Sequence, residues 1–204
     1  MIRALQTSLS PRFAALLACA LLLGAATAAR ADRWERDDAP APGPWDAHRG
    51  VYFAGGVGAG VQLVGYQDSA AAGQGELRLG YSFGRRFQIY LDADLSGSSH
   101  DFGRLTASDV MIGLRYFLYT DRFVGVYVRG ALGLGIVTGV NAIYNDGIAG
   151  DDTEYGIAES YALGMEFRLG GPWSISPEVF YRRTNETNDI RVDTLGIGLL
   201  INFN

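Results

Sequence analysis

The residues able to do bond-making chemistry are few. The chain has two histidines, His48 and His100, and His100 sits between Ser98-Ser99 and Asp101. A hydroxyl, an imidazole and a carboxylate therefore fall in one short stretch. A Ser-His-Asp relay needs three side chains converging in space, and adjacency in sequence is not that geometry. Residues 98–101 are expected to form a solvated loop. Asn145-Asp146-Gly147 and Asp151-Asp152-Thr153-Glu154 offer oxygen ligands of the kind that hold calcium, but their spacing fits no EF-hand loop. The glycine-rich fragments Gly55–Gly60 and Gly130–Gly135 look like phosphate cradles, yet no lysine or helix follows either. Cys19 is the one cysteine. Leu16-Leu17-Ala18-Cys19 loosely resembles a lipoprotein site, but the apolar run continues past it to Leu23, so Cys19 reads as a small apolar residue. We assign no catalytic residue, no cofactor-binding residue and no metal ligand.

Chemistry being sparse, the information lies in the elements. The chain has 204 residues, of which 48% are hydrophobic and 19% charged; 28 are glycine. Its 17 basic residues are all arginine, and the formal charge is −5. An acidic chain offers no basic face for phosphate neutralisation, so nucleic acid is not an expected partner. No later stretch is long and apolar enough for a membrane helix. High glycine, high aromatic content and low charge without such a helix suit a membrane β-barrel.

Residues 1–31 read as a cleaved signal peptide. Arg3 and Arg12 are basic, Phe13–Leu23 is apolar, and small residues then permit cleavage after Ala28 or Ala31. Cleavage after Ala31 leaves 14 basic and 22 acidic residues, a formal charge of −8. Residues 32–50 carry Pro40, Pro42 and Pro44 among charged residues and read as a flexible, proline-rich leader. Residues 51–204 are read as the barrel.

Period-two alternation, the mark of a strand with two unlike faces, recurs eight times in this region. The runs are 51–64, 75–84, 86–96, 107–119, 122–137, 155–169, 173–183 and 192–203. In the third, Phe87, Ile89, Leu91, Ala93 and Leu95 alternate with Arg86, Gln88, Tyr90, Asp92 and Asp94. Glu159 and Pro177 break the apolar face. Glu159 is expected above the lipid, and Pro177, lacking an N–H, at a bulge or local break in pairing. The connections 65–74, 85, 97–106, 120–121, 138–154, 170–172 and 184–191 alternate long and short. Tight turns on one side and long loops on the other suit an outer-membrane barrel with an even strand count.

The polar faces carry Glu76, Arg78, Arg86, Asp92, Asp94, Asp109, Arg115, Arg129, Glu166, Arg168, Glu178 and Arg182. A basic group facing lipid at the bilayer centre costs roughly 2–4 kcal/mol. A closed barrel with apolar groups outward and paired charges inward avoids that cost, and closure pairs every backbone N–H and C=O. Eight strands leave an interior just wide enough for side chains. Glycines at polar-face positions are expected to make room there for arginine and tyrosine. Phe83, Phe87, Tyr119, Phe123, Phe167, Trp173 and Phe203 flank the short turns or the chain end, as an interfacial girdle requires.

The signal segment, the eight runs and the last strand together resemble the small outer-membrane β-barrel family of the OmpA/OmpX type, over about residues 50–204. The most specific part is the C-terminal segment, where Thr194, Gly196, Leu199, Ile201 and Phe203 match the terminal signal read by the barrel assembly machinery. The family usually ends on the aromatic residue; here Asn204 follows it. The resemblance implies a fold that is all-β, an eight-stranded antiparallel up-and-down transmembrane β-barrel. It also implies an outer-membrane location in a Gram-negative cell, with the leader in the periplasm. Outer-membrane lipid, lipopolysaccharide and the assembly machinery are the implied partners. The expected role is non-enzymatic, structural or adhesive, through the long loops; a small-solute or ion channel and a lipid-modifying barrel enzyme are the alternatives. Lipid A deacylases of similar fold carry a His-x-Ser pair on a strand, which this chain lacks. The external ligand is not legible.

Overall fold

The computed structural model describes residues 49–64, 68–100, 103–121, 123–139, 153–186 and 191–203. The segment read as a signal peptide and nearly all of the leader, including His48, lie outside these residues, as do Asp101 and 145–152 of the acidic loop.

Eight strands follow one another: β1 (Arg49–Val64), β2 (Asp68–Phe83), β3 (Phe87–His100), β4 (Gly103–Thr120), β5 (Val124–Thr138), β6 (Thr153–Gly170), β7 (Trp173–Glu186) and β8 (Arg191–Phe203). Each pairs antiparallel with the next, and β1 pairs with β8 from Phe53↔Phe203 to Val64↔Val192, which closes the barrel. Closure leaves no sheet edge, the condition for a β-structure in hydrocarbon. We call the end with residues 84–86, 121–123 and 171–172 the turn end, and the opposite end the loop end.

The strands run further than the alternation indicates. β2 begins at Asp68, β3 continues to His100 and β4 starts at Gly103. Much of the expected loops 65–74, 97–106 and 184–191 is therefore strand, and the long-short alternation of connections is lost except at 139–152. Residues 68–75 are Asp-Ser-Ala-Ala-Ala-Gly-Gln-Gly, which carry no apolar alternation, yet they pair in unbroken register with β1 up to Val64↔Asp68. Once a ladder is in register, each added pair satisfies two more backbone groups, and this outweighs weak strand propensity.

Apolar side chains face out. Val57, Leu134 and Ile197 are 70%, 72% and 66% exposed. The girdle aromatics Phe83, Tyr119, Phe123, Phe167, Trp173 and Phe203 are outward as well, with the Trp173 and Phe203 rings 5.0 Å apart across β7 and β8. Pro177 points outward. Pairing between β6 and β7 lapses between Gly164↔Glu178 and Phe167↔Ile175 with no change of register, while Pro177↔Leu199 stays paired with β8. The missing N–H thus interrupts one ladder and spares the other.

Candidate functional site

Inward positions form layers. Near the turn end, Tyr52, Tyr90 and Tyr127 lie across the lumen, each opposite a glycine of the neighbouring strand: Tyr52↔Gly80, Tyr90↔Gly113 and Tyr127↔Gly164. A Cβ on any of these glycines would overlap the facing ring. Phe180↔Gly196 repeats the device, with ring Cζ 2.6 Å from the Cβ position. The Arg115 guanidinium lies between two of these rings, 4.4 Å from the Tyr127 centroid and 5.6 Å from that of Tyr52.

Glu178 is the hub of the next layer. It meets Arg78 at 3.0 Å and Arg129 at 2.6 Å, and accepts from Tyr127 Oη at 3.1 Å. Arg78 also pairs with Glu76 and with Asp92, and Arg129 lies 3.5 Å from Asp92. Towards the loop end Arg182 holds Asp94 at 2.5 Å and Asp109 at 3.6 Å. Ten of the twelve polar-face charges are thus buried in the lumen. Arg168 is half-buried at the rim, bonded to Glu166, Thr120 and the Asp121 carbonyl. Arg86 is a correction: it is exposed, because β2 ends at Phe83 and β3 begins only at Phe87, which leaves Arg86 in the turn. Carboxylate oxygens of Glu76, Asp92 and Asp94 lie within 4.8 Å of one another, the one grouping among the described residues with metal-ligand proximity. Arg78, Arg129 and Arg182 already occupy that neighbourhood.

Above the ionic layers, Val64, Leu105, Ala107, Val137 and Val192 form a buried apolar cluster inside the barrel. Leu105 belongs to a segment expected to be loop, so this plug is not legible from the strand runs. Beside it, Ser98 Oγ and His100 Nε2 are 2.7 Å apart, and Ser98 donates to Gln62 Oε1. Ser98 and His100 are in β3 rather than in a solvated loop; Ser98 is buried and Ser99 exposed. Thr153 and Glu154 open β6, while Asp151 and Asp152 of the same acidic run lie outside the described residues. Gly55–Gly60 and Gly130–Gly135 are strand residues, as expected.

A second polar constellation lies on the outside. Glu159, Arg183 and Asp193 are register partners on β6, β7 and β8. Arg183 meets Glu159 at 3.3 Å and Asp193 at 3.0 Å, and Arg191 meets Asp193 at 2.5 Å. Tyr161 and Tyr181 pair directly below, and Tyr181 Oη donates to Asp193 at 2.6 Å. The signal was present in sequence: Arg183, Arg191 and Asp193 share the parity of Tyr181 and Leu195, so charge replaces grease on one face.

A closed eight-stranded antiparallel barrel with a greasy wall and an ionic lumen defines an integral outer-membrane barrel. The chain belongs to the family described as outer membrane protein beta-barrel domain, matched over residues 15–203. That membership places it in the outer membrane of a Gram-negative cell. Neisserial surface protein A is a similar solved structure, with TM-score 0.59 at 13% identity, covering 74% of this chain and 96% of that one. The outer membrane enzyme PagL gives 0.51 at 13% identity, over 71% and 97%. The attachment invasion locus protein of Yersinia pestis gives 0.49 at 13% identity, over 76% and 99%. At such identities the likeness is one of fold alone. No curated protein sequence matches the chain.

Proposed function

We propose that the protein is a non-enzymatic, non-conducting barrel whose role is structural or adhesive, exercised through its loop end, which faces out of the cell. The leader 32–50 then lies in the periplasm, after cleavage of residues 1–31. The last strand, up to Phe203, serves as the signal for the assembly machinery. The observation that supports this reading is the filled lumen. Arg78, Arg115, Arg182, Tyr52, Tyr90, Tyr127, Phe117 and Phe180 are all under 2% exposed. The Val64–Leu105–Val137–Val192 plug stands over them, and an apolar constriction resists wetting. A rigid body with nothing passing through it leaves recognition to its loops. Purified barrel in planar bilayers is expected to give no conductance; steps that survive loop trimming favour the channel instead. Deleting residues 140–152 is expected to reduce surface binding, and unchanged binding overturns the adhesive role.

One observation favours the enzyme alternative, the Ser98–His100 contact. Activity on lipid A that is lost in Ser98→Ala and in His100→Ala supports it; equal behaviour of wild type and both variants supports the non-enzymatic reading.

A further inference from the structure

We propose that the outer wall of β6–β8 carries a docking site for the phosphorylated headgroup of an outer-leaflet glycolipid, centred on Arg183 and Arg191. The inference rests on the loop end facing outward.

The height of the cluster comes first. Below the Glu159–Arg183–Asp193 row, the outward positions Tyr161–Leu169, Trp173–Tyr181 and Leu195–Phe203 carry no charged side chain, and each stretch is nine residues long. A tilted strand needs about 9–11 residues to cross the hydrocarbon. The nine therefore span it, with Tyr161 and Tyr181 at its upper boundary and the charged row at headgroup level. Charge one layer lower would face acyl chains.

The polarity of the exposed surface comes second. The cluster holds two arginines and two acids, but they are not equally presented. The Arg183 and Arg191 side chains are 29% and 37% exposed, whereas Glu159 and Asp193 are 17% and 10%. The guanidinium side chains are thus the more exposed members of the cluster, so the surface it offers to a ligand is weighted towards cation although the sum is neutral. A guanidinium fork matches two phosphate oxygens, while an ammonium offers only a point charge.

Preorganisation comes third. Nε and both terminal nitrogens of Arg183 are engaged, by Asp193, Glu159 and Tyr181 Oη, and Arg191 is tied to Asp193. Holding the side chains in place before binding lowers the ordering cost of association. Among the described side chains, charge on outward strand positions occurs only in these four residues and Arg104. The site is thus on one side of the barrel and is not a general belt.

The test uses the folded barrel in phosphatidylcholine-containing micelles and native mass spectrometry of retained lipid. The probes are bisphosphorylated lipid A, dephosphorylated lipid A and phosphatidylglycerol. Wild type is expected to retain lipid A at least about tenfold more than the dephosphorylated form, the scale of one charge-assisted contact. Arg183→Gln/Arg191→Gln is expected to lose that margin while keeping heat-modifiable migration. Equal retention of the two lipid A forms by wild type overturns the proposal even if the variant fails to fold. Equal retention by wild type and folded variant overturns the location, and retention of phosphatidylglycerol as strong as lipid A overturns the glycolipid. Sidedness is read separately: Asn141→Cys on intact cells is expected to react with an impermeant maleimide. Absence of labelling overturns the orientation while leaving the micelle result interpretable.

Discussion

Glu178 answers two guanidiniums and a phenol at once, with no solvent to screen any of them. Removing one partner of a buried ion cluster leaves charge uncompensated. Glu178→Gln keeps the volume and is expected to cost about 3 kcal/mol of folding stability, read from urea unfolding of the refolded barrel. Glu159→Gln on the outer row is expected to cost about 1 kcal/mol or less, because its pair with Arg183 is partly solvated. Gly113 shows the other demand of a filled lumen. Its missing Cβ is the space that the Tyr90 ring occupies. Gly113→Ala is expected to destabilise by about 1–3 kcal/mol in the same assay, since the ring must leave its rotamer or the strands must part.

At the scale of elements, the turn between β4 and β5 is held by one side chain. Asp121 Oδ1 accepts from the backbone N–H groups of Phe123 and Val124, each at 2.7 Å, and Oδ2 accepts from Tyr119 Oη at 2.8 Å. The Val124 and Phe123 amides, with the Tyr119 hydroxyl, hold the Asp121 carboxyl below its ordinary value. A depressed folded-state pKa contributes stability above the unfolded value, near 4, and that stability is lost as pH falls through the lower folded value. The difference in unfolding midpoint between wild type and Asp121→Ala is therefore expected to be constant at neutral pH and to shrink below about pH 4. A difference that does not change with pH contradicts the clamp. Much at this scale was legible in the residues. Alternation gave all eight strands and their faces, and the lone proline of β7 marked the lapse in its ladder with β6. Strand ends were not legible where Ala, Gly and Ser carry no period, as in 68–75 and 97–100, because pairing there is imposed by the neighbouring strand. The plug was missed because Leu105 lies outside the 107–119 run, and because Val64, Ala107, Val137 and Val192 sit at the ends of their runs, where only the closed barrel brings them together. The ionic lumen was legible as residue types; its pairing through Glu178 depends on the closed cylinder bringing residues 78, 129 and 178 together.

At the scale of the whole molecule, folding and membrane insertion are one problem. Val57, Leu134 and Ile197 are among many side chains whose exposure in water would be an aggregation hazard. Met165, near the middle of its nine-residue span, faces out. Met165→Arg is expected to reduce folding stability in bilayers by about 2–4 kcal/mol, while Arg183, about 7 Å along the strand beyond the tyrosine pair, is tolerated because its partners and the headgroups accept it. The same layering accounts for a sealed lumen, an apolar wall and a polar row in one strand, β7: Glu178 inside, Val179 in lipid, Arg183 above it. The most direct measurement places spin labels singly at Leu163, Val179 and Leu199 of barrel refolded into lipid vesicles and compares collisions with oxygen, which enters hydrocarbon, and with a water-soluble nickel chelate. High oxygen and low nickel accessibility is predicted at all three; nickel access at these positions would contradict a wall that faces lipid.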